Sequence, residues 1–159
     1  MSVARPHFAR TALILCAVMV LDACAPRGSL TLLTDEEITA SARLELEDVE
    51  RSVPTPGGPE IDVVQPSESQ PVRAAIDIDL RFAARNDARI DPSTLSVVYA
   101  KEGFHKDLTG LIREHGGVSE SAVTLHGARL PPGHHQLIVE IADNHGNVAR
   151  RAINFEVSE

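Results

Sequence analysis

An all-β, antiparallel sandwich is the fold this sequence predicts, and three stretches predict it. Residues 130–157, LPPGHHQLIVEIADNHGNVARRAINFEV, read as a complete hairpin. Pro131, Pro132 and Gly133 punctuate its start, and Leu137, Val139 and Ile141 alternate with Gln136, Ile138 and Glu140. The DNHGN run over 143–147 supplies residues that tolerate left-handed turn conformations, and Ile153, Phe155 and Val157 share one face of the return strand. A second stretch alternates Ile76, Ile78, Leu80 and Phe82 with Asp77, Asp79 and Arg81, and a third carries Leu95, Val97 and Tyr99. Apolar residues at period two put one face of a strand into a core and leave the other in water, whereas a helix would repeat every three to four residues.

Composition narrows the function. The chain has 159 residues, 43% of them hydrophobic and 24% charged, which suits one globular domain. Its formal charge of -8 becomes about -9 without residues 1–23, which hold Arg5 and Arg10 against Asp22. No nucleic acid is expected as a partner of so acidic a chain. With no Trp, one Tyr and four Phe, the aromatic platforms on which sugars or single strands stack are nearly absent.

The N-terminus points to export. Arg5 and Arg10 precede an eleven-residue apolar run over 11–21, TALILCAVMVL. A spanning helix needs about 20 apolar residues, so this run has the length of a signal-peptide core. It ends in Leu21-Asp22-Ala23-Cys24, which resembles the lipobox of bacterial lipoproteins; Asp22 is the departure, at a position where uncharged residues are usual. The resemblance implies cleavage after residue 23 and lipidation of Cys24. Cys16 lies within the leader, so the mature chain carries Cys24 as a single thiol; lipidation accounts for a cysteine without a disulfide partner. Ala25 is not the Asp that resembles an inner-membrane retention signal, which implies an outer-membrane lipoprotein facing the periplasm.

Residues 34–51 change to a helical pattern. Thr34 and Glu37 have capping-box spacing, Asp35, Glu36 and Glu37 favour the positive end of a helix dipole, and Ile38, Ala42, Leu46 and Val49 share one face. Three prolines and two glycines over 52–60 then read as a linker. The expected organisation is a signal peptide over 1–23, a lipidated N-terminus with helix and linker over 24–59, and a folded domain over 60–159. Within that domain Ile61, Val63 and Val64 form a first strand, residues 84–95 a turn-rich connection, residues 100–121 an irregular loop with at most a short strand or helical turn stopped by Gly116, and Ala122, Thr124 and Leu125 a modest strand.

The order IDVVQP, AIDIDLRF, IDPSTLSVVY and finally LPPGHHQLIVEIADNHGN is similar to bacterial Ig-like domains of exported proteins, over about residues 59–159. This resemblance implies an Ig-like antiparallel β-sandwich of roughly seven strands. Core disulfide and core Trp are missing, so Phe82, Tyr99 and Phe155 must supply the bulky contacts.

Such modules act as spacers, adhesive units or partner-binding domains and bring no catalytic residues. The expected function is a non-catalytic, envelope-anchored lipoprotein with a binding or spacer module; the alternative is a small periplasmic hydrolase or an accessory subunit of an envelope enzyme. For hydrolysis Ser119, His115 and Glu120 offer the residue types without a nucleophile-elbow context, and no G-x-S-x-G, P-loop or C-x-x-C occurs. No cofactor and no metal is expected. His134 and His135 would point to opposite faces of a strand, and the residues at 143–147 lack EF-hand spacing. Asp77 and Asp79 share the wet face of their strand. The membrane is expected as a partner through the lipid anchor, together with an envelope protein or polymer. That contact is expected on the irregular segment, where Phe104, Leu111 and Ile112 stand among Lys106 and Arg113.

Overall fold

The computed structural model describes residues 30–34, 36–37, 55–101 and 104–159; Cys24 and most of the expected helix lie outside them. The elements fully within the described residues follow in order: β1 Leu30–Thr31, β2 Glu60–Gln65, β3 Val72–Arg73, β4 Ile76–Ala83, β5 Ile90–Lys101, β6 Phe104–Asp107, the short helix α1 Thr109–His115, β7 Gly117–Val118, β8 Ala122–Arg129, β9 Gly133–Asp143 and β10 Val148–Ser158. One sheet runs β1-β8-β4-β2, with β7 also on β8; the other runs β3-β10-β9-β5-β6. A single apolar cluster joins them, so the sandwich expected from the alternation is the architecture observed.

The hairpin of β9 and β10 has the register its sequence implies. Ile141 faces Ala149, Leu137 faces Ile153, and His135 faces Phe155. Leu137, Val139, Ile141, Ile153, Phe155 and Val157 are all buried. At the turn, the Asp143 carboxylate accepts from the backbone N–H of His145 and Asn147, both at 2.9 Å, and from the Asn147 side chain at 2.8 Å. Those donors, the Asn147 side chain foremost, hold the Asp143 carboxyl below its ordinary value. Gly146, at φ +80°, takes the left-handed position that a side chain would strain.

Four features differ from the sequence reading. First, the sheets are not wholly antiparallel: β1 joins β8 and β3 joins β10 in parallel, each through two residues. Strands that short carry no readable alternation. Second, β5 begins at Ile90, with a register shift between Asp91 and Ser96 where the chain around Pro92 bulges. The Thr94 hydroxyl bridges that gap, donating to the Asp91 carbonyl at 2.7 Å and accepting from Ala142 N–H at 2.8 Å.

Third, the segment expected to be irregular is built from β6, α1 and β7. Asp107 accepts from Thr109 N–H at 2.7 Å at the start of the helix, and the Thr109 hydroxyl accepts from Val97 N–H at 2.9 Å where β6 stops pairing with β5. Gly116 ends the helix as expected, in extended backbone; a Cβ there would lie 2.5 Å from the Thr124 carbonyl oxygen, so the close approach of helix and β8 requires glycine.

Fourth, the folded unit includes residues upstream of Glu60. Leu32 and Leu33 are 0% and 2% exposed, and Leu32 N–H continues the β1–β8 pairing by donating to the Arg129 carbonyl at 3.0 Å. The end of the linker is also packed: Thr55 N–H donates to Val148 O at 2.9 Å, and Gly58 and Pro59 are buried. The Thr34–Glu37 capping box is present, with Thr34 N–H on Glu37 Oε2 at 3.0 Å and Glu37 N–H on Thr34 Oγ1 at 3.3 Å.

Candidate functional site

The five side chains expected to meet a partner are engaged within the fold. Phe104 is 8% exposed and packs its ring 5.8 Å from that of Tyr99. Ile112 is fully buried, and Leu111 packs partly against the same core. Lys106 reaches back to the N-terminal segment, its Nζ donating to Glu37 Oε1 at 2.6 Å and to the Leu32 carbonyl at 3.2 Å. Arg113 donates to the carbonyls of Pro92, Ser93 and Leu95 at 2.9 to 3.2 Å, clamping α1 onto the β5 bulge. Apolar residues at mixed spacing beside cations look like an interface in sequence; here the spacing is mixed because strand, helix and strand follow one another.

The hydrolytic residue types do not assemble. Ser119 Oγ accepts from Ala122 N–H at 3.1 Å and stays in its own turn, while His115 Nε2 lies 3.8 Å from Glu114. Among the described residues no three His, Cys, Asp or Glu converge as a metal site. Asp77 and Asp79 also have separate duties. Asp77 accepts from Gly127 N–H at 2.9 Å, which holds its carboxyl below the ordinary value, and Asp79 meets Arg81 at 2.9 Å.

A trough of about 730 Å³ lies elsewhere, over the end of the second sheet, within the size range of small-ligand sites. Its floor is one cross-strand row on the outer face: His105 on β6, Ala100 on β5, Gln136 on β9 and Asn154 on β10. Three interstrand steps make this row about 14 Å wide. Ala100 is the short side chain in the row and leaves the dip. Gln136 Nε2 donates to Asn154 Oδ1 at 2.8 Å, and the next row pairs His134 with Glu156.

The side wall is the connection from β2 to β3, Glu68 to Pro71. Glu68 is pinned by Arg151 at 2.7 Å and accepts from Asn154 N–H at 3.3 Å. Arg151 also donates to the Ile61 carbonyl at 3.3 Å, so one guanidinium ties the two sheets and the wall together.

Beneath the floor four rings from adjacent strands form a continuous layer. Phe104, Tyr99, His135 and Phe155 have successive centroids 5.8, 5.8 and 5.6 Å apart, all tilted. His135 Nε2 lies 2.8 Å from the Pro131 carbonyl, which can only accept, so that nitrogen carries the proton and Nδ1 accepts from the Tyr99 hydroxyl at 2.9 Å. Burial keeps His135 below its usual pKa and pushes the Tyr99 phenol up to about 12. The floor is therefore rigid and its buried polar atoms are paired. His105 is the exception: its Nδ1 is buried with no hydrogen-bond partner among the described residues, and His105 lines the trough. An unpaired buried nitrogen costs about 1–3 kcal/mol unless something else satisfies it.

The sequence marked His134 and His135 as lying on opposite faces, as found. It did not bring His105, Ala100, Gln136 and Asn154 together, because they belong to four strands whose adjacency is set by sheet order.

No family model matches the chain, and no curated protein sequence matches it. Among solved structures it is similar to CopC from Methylosinus trichosporium OB3b, with 16% identity and a TM-score of 0.40, over 62% of this chain and 94% of that one. It is also similar to the fibronectin(III)-like modules of Clostridium thermocellum CbhA, with 11% identity and a TM-score of 0.37, over 62% of this chain and 46% of that one.

Proposed function

We propose that the chain is an envelope lipoprotein, anchored in the outer membrane through Cys24 and facing the periplasm, whose Ig-like sandwich is a non-catalytic binding module for an envelope protein or polymer. The anchor rests on the short apolar run followed by Leu21-Asp22-Ala23-Cys24. For binding, the observation that carries the reading is the trough over a rigid ring layer, with the unpaired His105 nitrogen in its lining. Its polar groups are side-chain amides, imidazoles and isolated charges of both signs, suited to hydrogen-bonding a polar ligand. Among the described residues that line it, no hydroxyl hydrogen-bonds to a histidine or a carboxylate; the Ser69 hydroxyl pairs with Ser67.

Mass spectrometry of the membrane fraction tests the anchor: a diacylated Cys24 at the mature N-terminus is expected, and a soluble form with a free Cys24 overturns it. For the binding role, a photo-crosslinking residue replaces Gln136 in intact cells, with the same residue at Asp62 on β2 as control. A product specific to position 136 is expected. Equal or no capture at the two positions removes the trough as a binding surface and leaves a spacer.

A further inference from the structure

Where the chain first enters the fold restricts how the domain stands on a membrane. The registers gather one end of the sandwich from the start of β4, the end of β8, the start of β9 and the ends of β5 and β10. Leu30 pairs with Ala128 at this same end. The trough residues Lys101, His134 and Glu156 lie there too. The Asp143–Asn147 turn and α1 lie at the opposite end.

We propose that the Leu30 end of the sandwich faces the lipid bilayer and that the domain cannot invert; this rests on Cys24 being the lipid anchor. Cys24 and Leu30 are six residues apart in sequence. Whatever its conformation, that leash spans at most about 21 Å, since an extended chain advances no more than about 3.5 Å per residue. An eleven-residue strand such as β9 is about 36 Å long. To bring the far end to the bilayer, Leu30 would have to rise by about the length of the sandwich, farther than the leash allows. The domain can tilt or lie on its side, but the end that carries the trough is not lifted a sandwich length away from the membrane.

This depends on β1 docking. A tether running free from Cys24 to Glu60 could extend past 100 Å by the same rule, on the order of three sandwich lengths, and would leave the orientation open. Lys106 on β6 closes that route by holding the Leu32 carbonyl and Glu37, and Leu32 and Leu33 are in the core.

The Leu30 end carries unpaired charges of both signs, so the orientation rests on the leash rather than on charge. Arg73, Lys101 and Arg129 are exposed there, and none forms an ion pair with a described residue. Of the described carboxylates nearby, Glu68 is held by Arg151, Asp77 lies against His126 and Glu37 is held by Lys106, leaving Glu36, Glu156 and Glu159 without an ion pair among the described residues.

The test measures orientation directly. Residues 24–159 are coupled through Cys24 to a maleimide phospholipid in phosphatidylethanolamine–phosphatidylglycerol vesicles, so the geometry is read whether or not the cell acylates that cysteine; acylation is read separately by mass. A donor fluorophore on a non-canonical residue replaces either His134 or His145, both exposed and at opposite ends, and the membrane carries an acceptor lipid. Energy transfer severalfold stronger from position 134 is expected, and equal or reversed transfer overturns the proposal. Inserting twenty Gly and Ser residues between Ala25 and Pro26 should shrink the difference. If the asymmetry survives the insertion unchanged, the leash is not its cause and the proposal is overturned.

Discussion

The Tyr99 hydroxyl donates to Nδ1 of His135 at 2.9 Å, with Tyr99 0% and His135 4% exposed. The bond joins β5 to β9 directly under the trough. Tyr99→Phe keeps the ring and removes the donor, leaving a buried imidazole nitrogen without its partner. A loss of about 1–3 kcal/mol is expected, read from urea unfolding. A smaller loss in the double variant Tyr99→Phe, His135→Phe than the sum of the single losses would confirm that the two act as a pair.

His135 also makes stability depend on pH. Its folded pKa lies below the ordinary 6.5, with desolvation as the main cause. Above 6.5 the imidazole is neutral in both states. As the pH falls from 6.5 toward the lower folded value, the unfolded chain takes up a proton that the folded chain does not, so stability declines through that window and levels off beneath it. His135→Gln should flatten this part of the melting-temperature profile; an unchanged profile would place the titration elsewhere.

A lower window belongs to Asp143, whose carboxyl is held below 3.8 first by the Asn147 side chain. The stabilisation is complete above 3.8 and disappears as the pH falls through the folded value. Asp143→Ala should lower the melting temperature at neutral pH and remove part of the acid transition, whereas Glu156→Ala, at an exposed position, should leave the neutral-pH melting temperature nearly unchanged. Equal behaviour of the two variants would mean that the turn is held without its carboxylate.

The upstream segment should be needed for full stability. Leu32→Ala should cost about 2–5 kcal/mol, as expected for a fully buried leucine. Lys106→Ala, which removes a half-exposed ion pair with Glu37, should cost about 0.2–1 kcal/mol. A chain starting at Glu60 should melt well below one starting at Arg27. If those two chains melt together, β1 adds nothing to the core.

Phe104→Ala separates packing from partner contact. With the ring 8% exposed against Tyr99, the substitution should cost about 3–5 kcal/mol in the isolated protein. Arg113→Ala should loosen α1 on the β5 bulge and raise amide exchange over 109–115, with little change elsewhere. No stability loss in Phe104→Ala would return this segment to the surface.

Local order was legible in the amino acids wherever alternation ran for four or more residues. Ile76 to Phe82 and the hairpin over 130–157 declare their buried faces because each strand residue takes its side from its neighbours, and the residues at 143–147 declare the turn by side-chain chemistry that acts over five residues. The Thr34–Glu37 capping box was legible for the same reason. What the tertiary structure alone decided is which distant pieces meet. Leu30–Thr31 and Val72–Arg73 are too short to show a period and become strands only because β8 and β10 offer them unpaired edges. Phe104, Ile112 and Lys106 look available in sequence, yet they are taken up by Tyr99, the core and Glu37. The trough is likewise a product of strand order, since His105, Ala100, Gln136 and Asn154 become neighbours through hydrogen-bonded registers that no local pattern encodes.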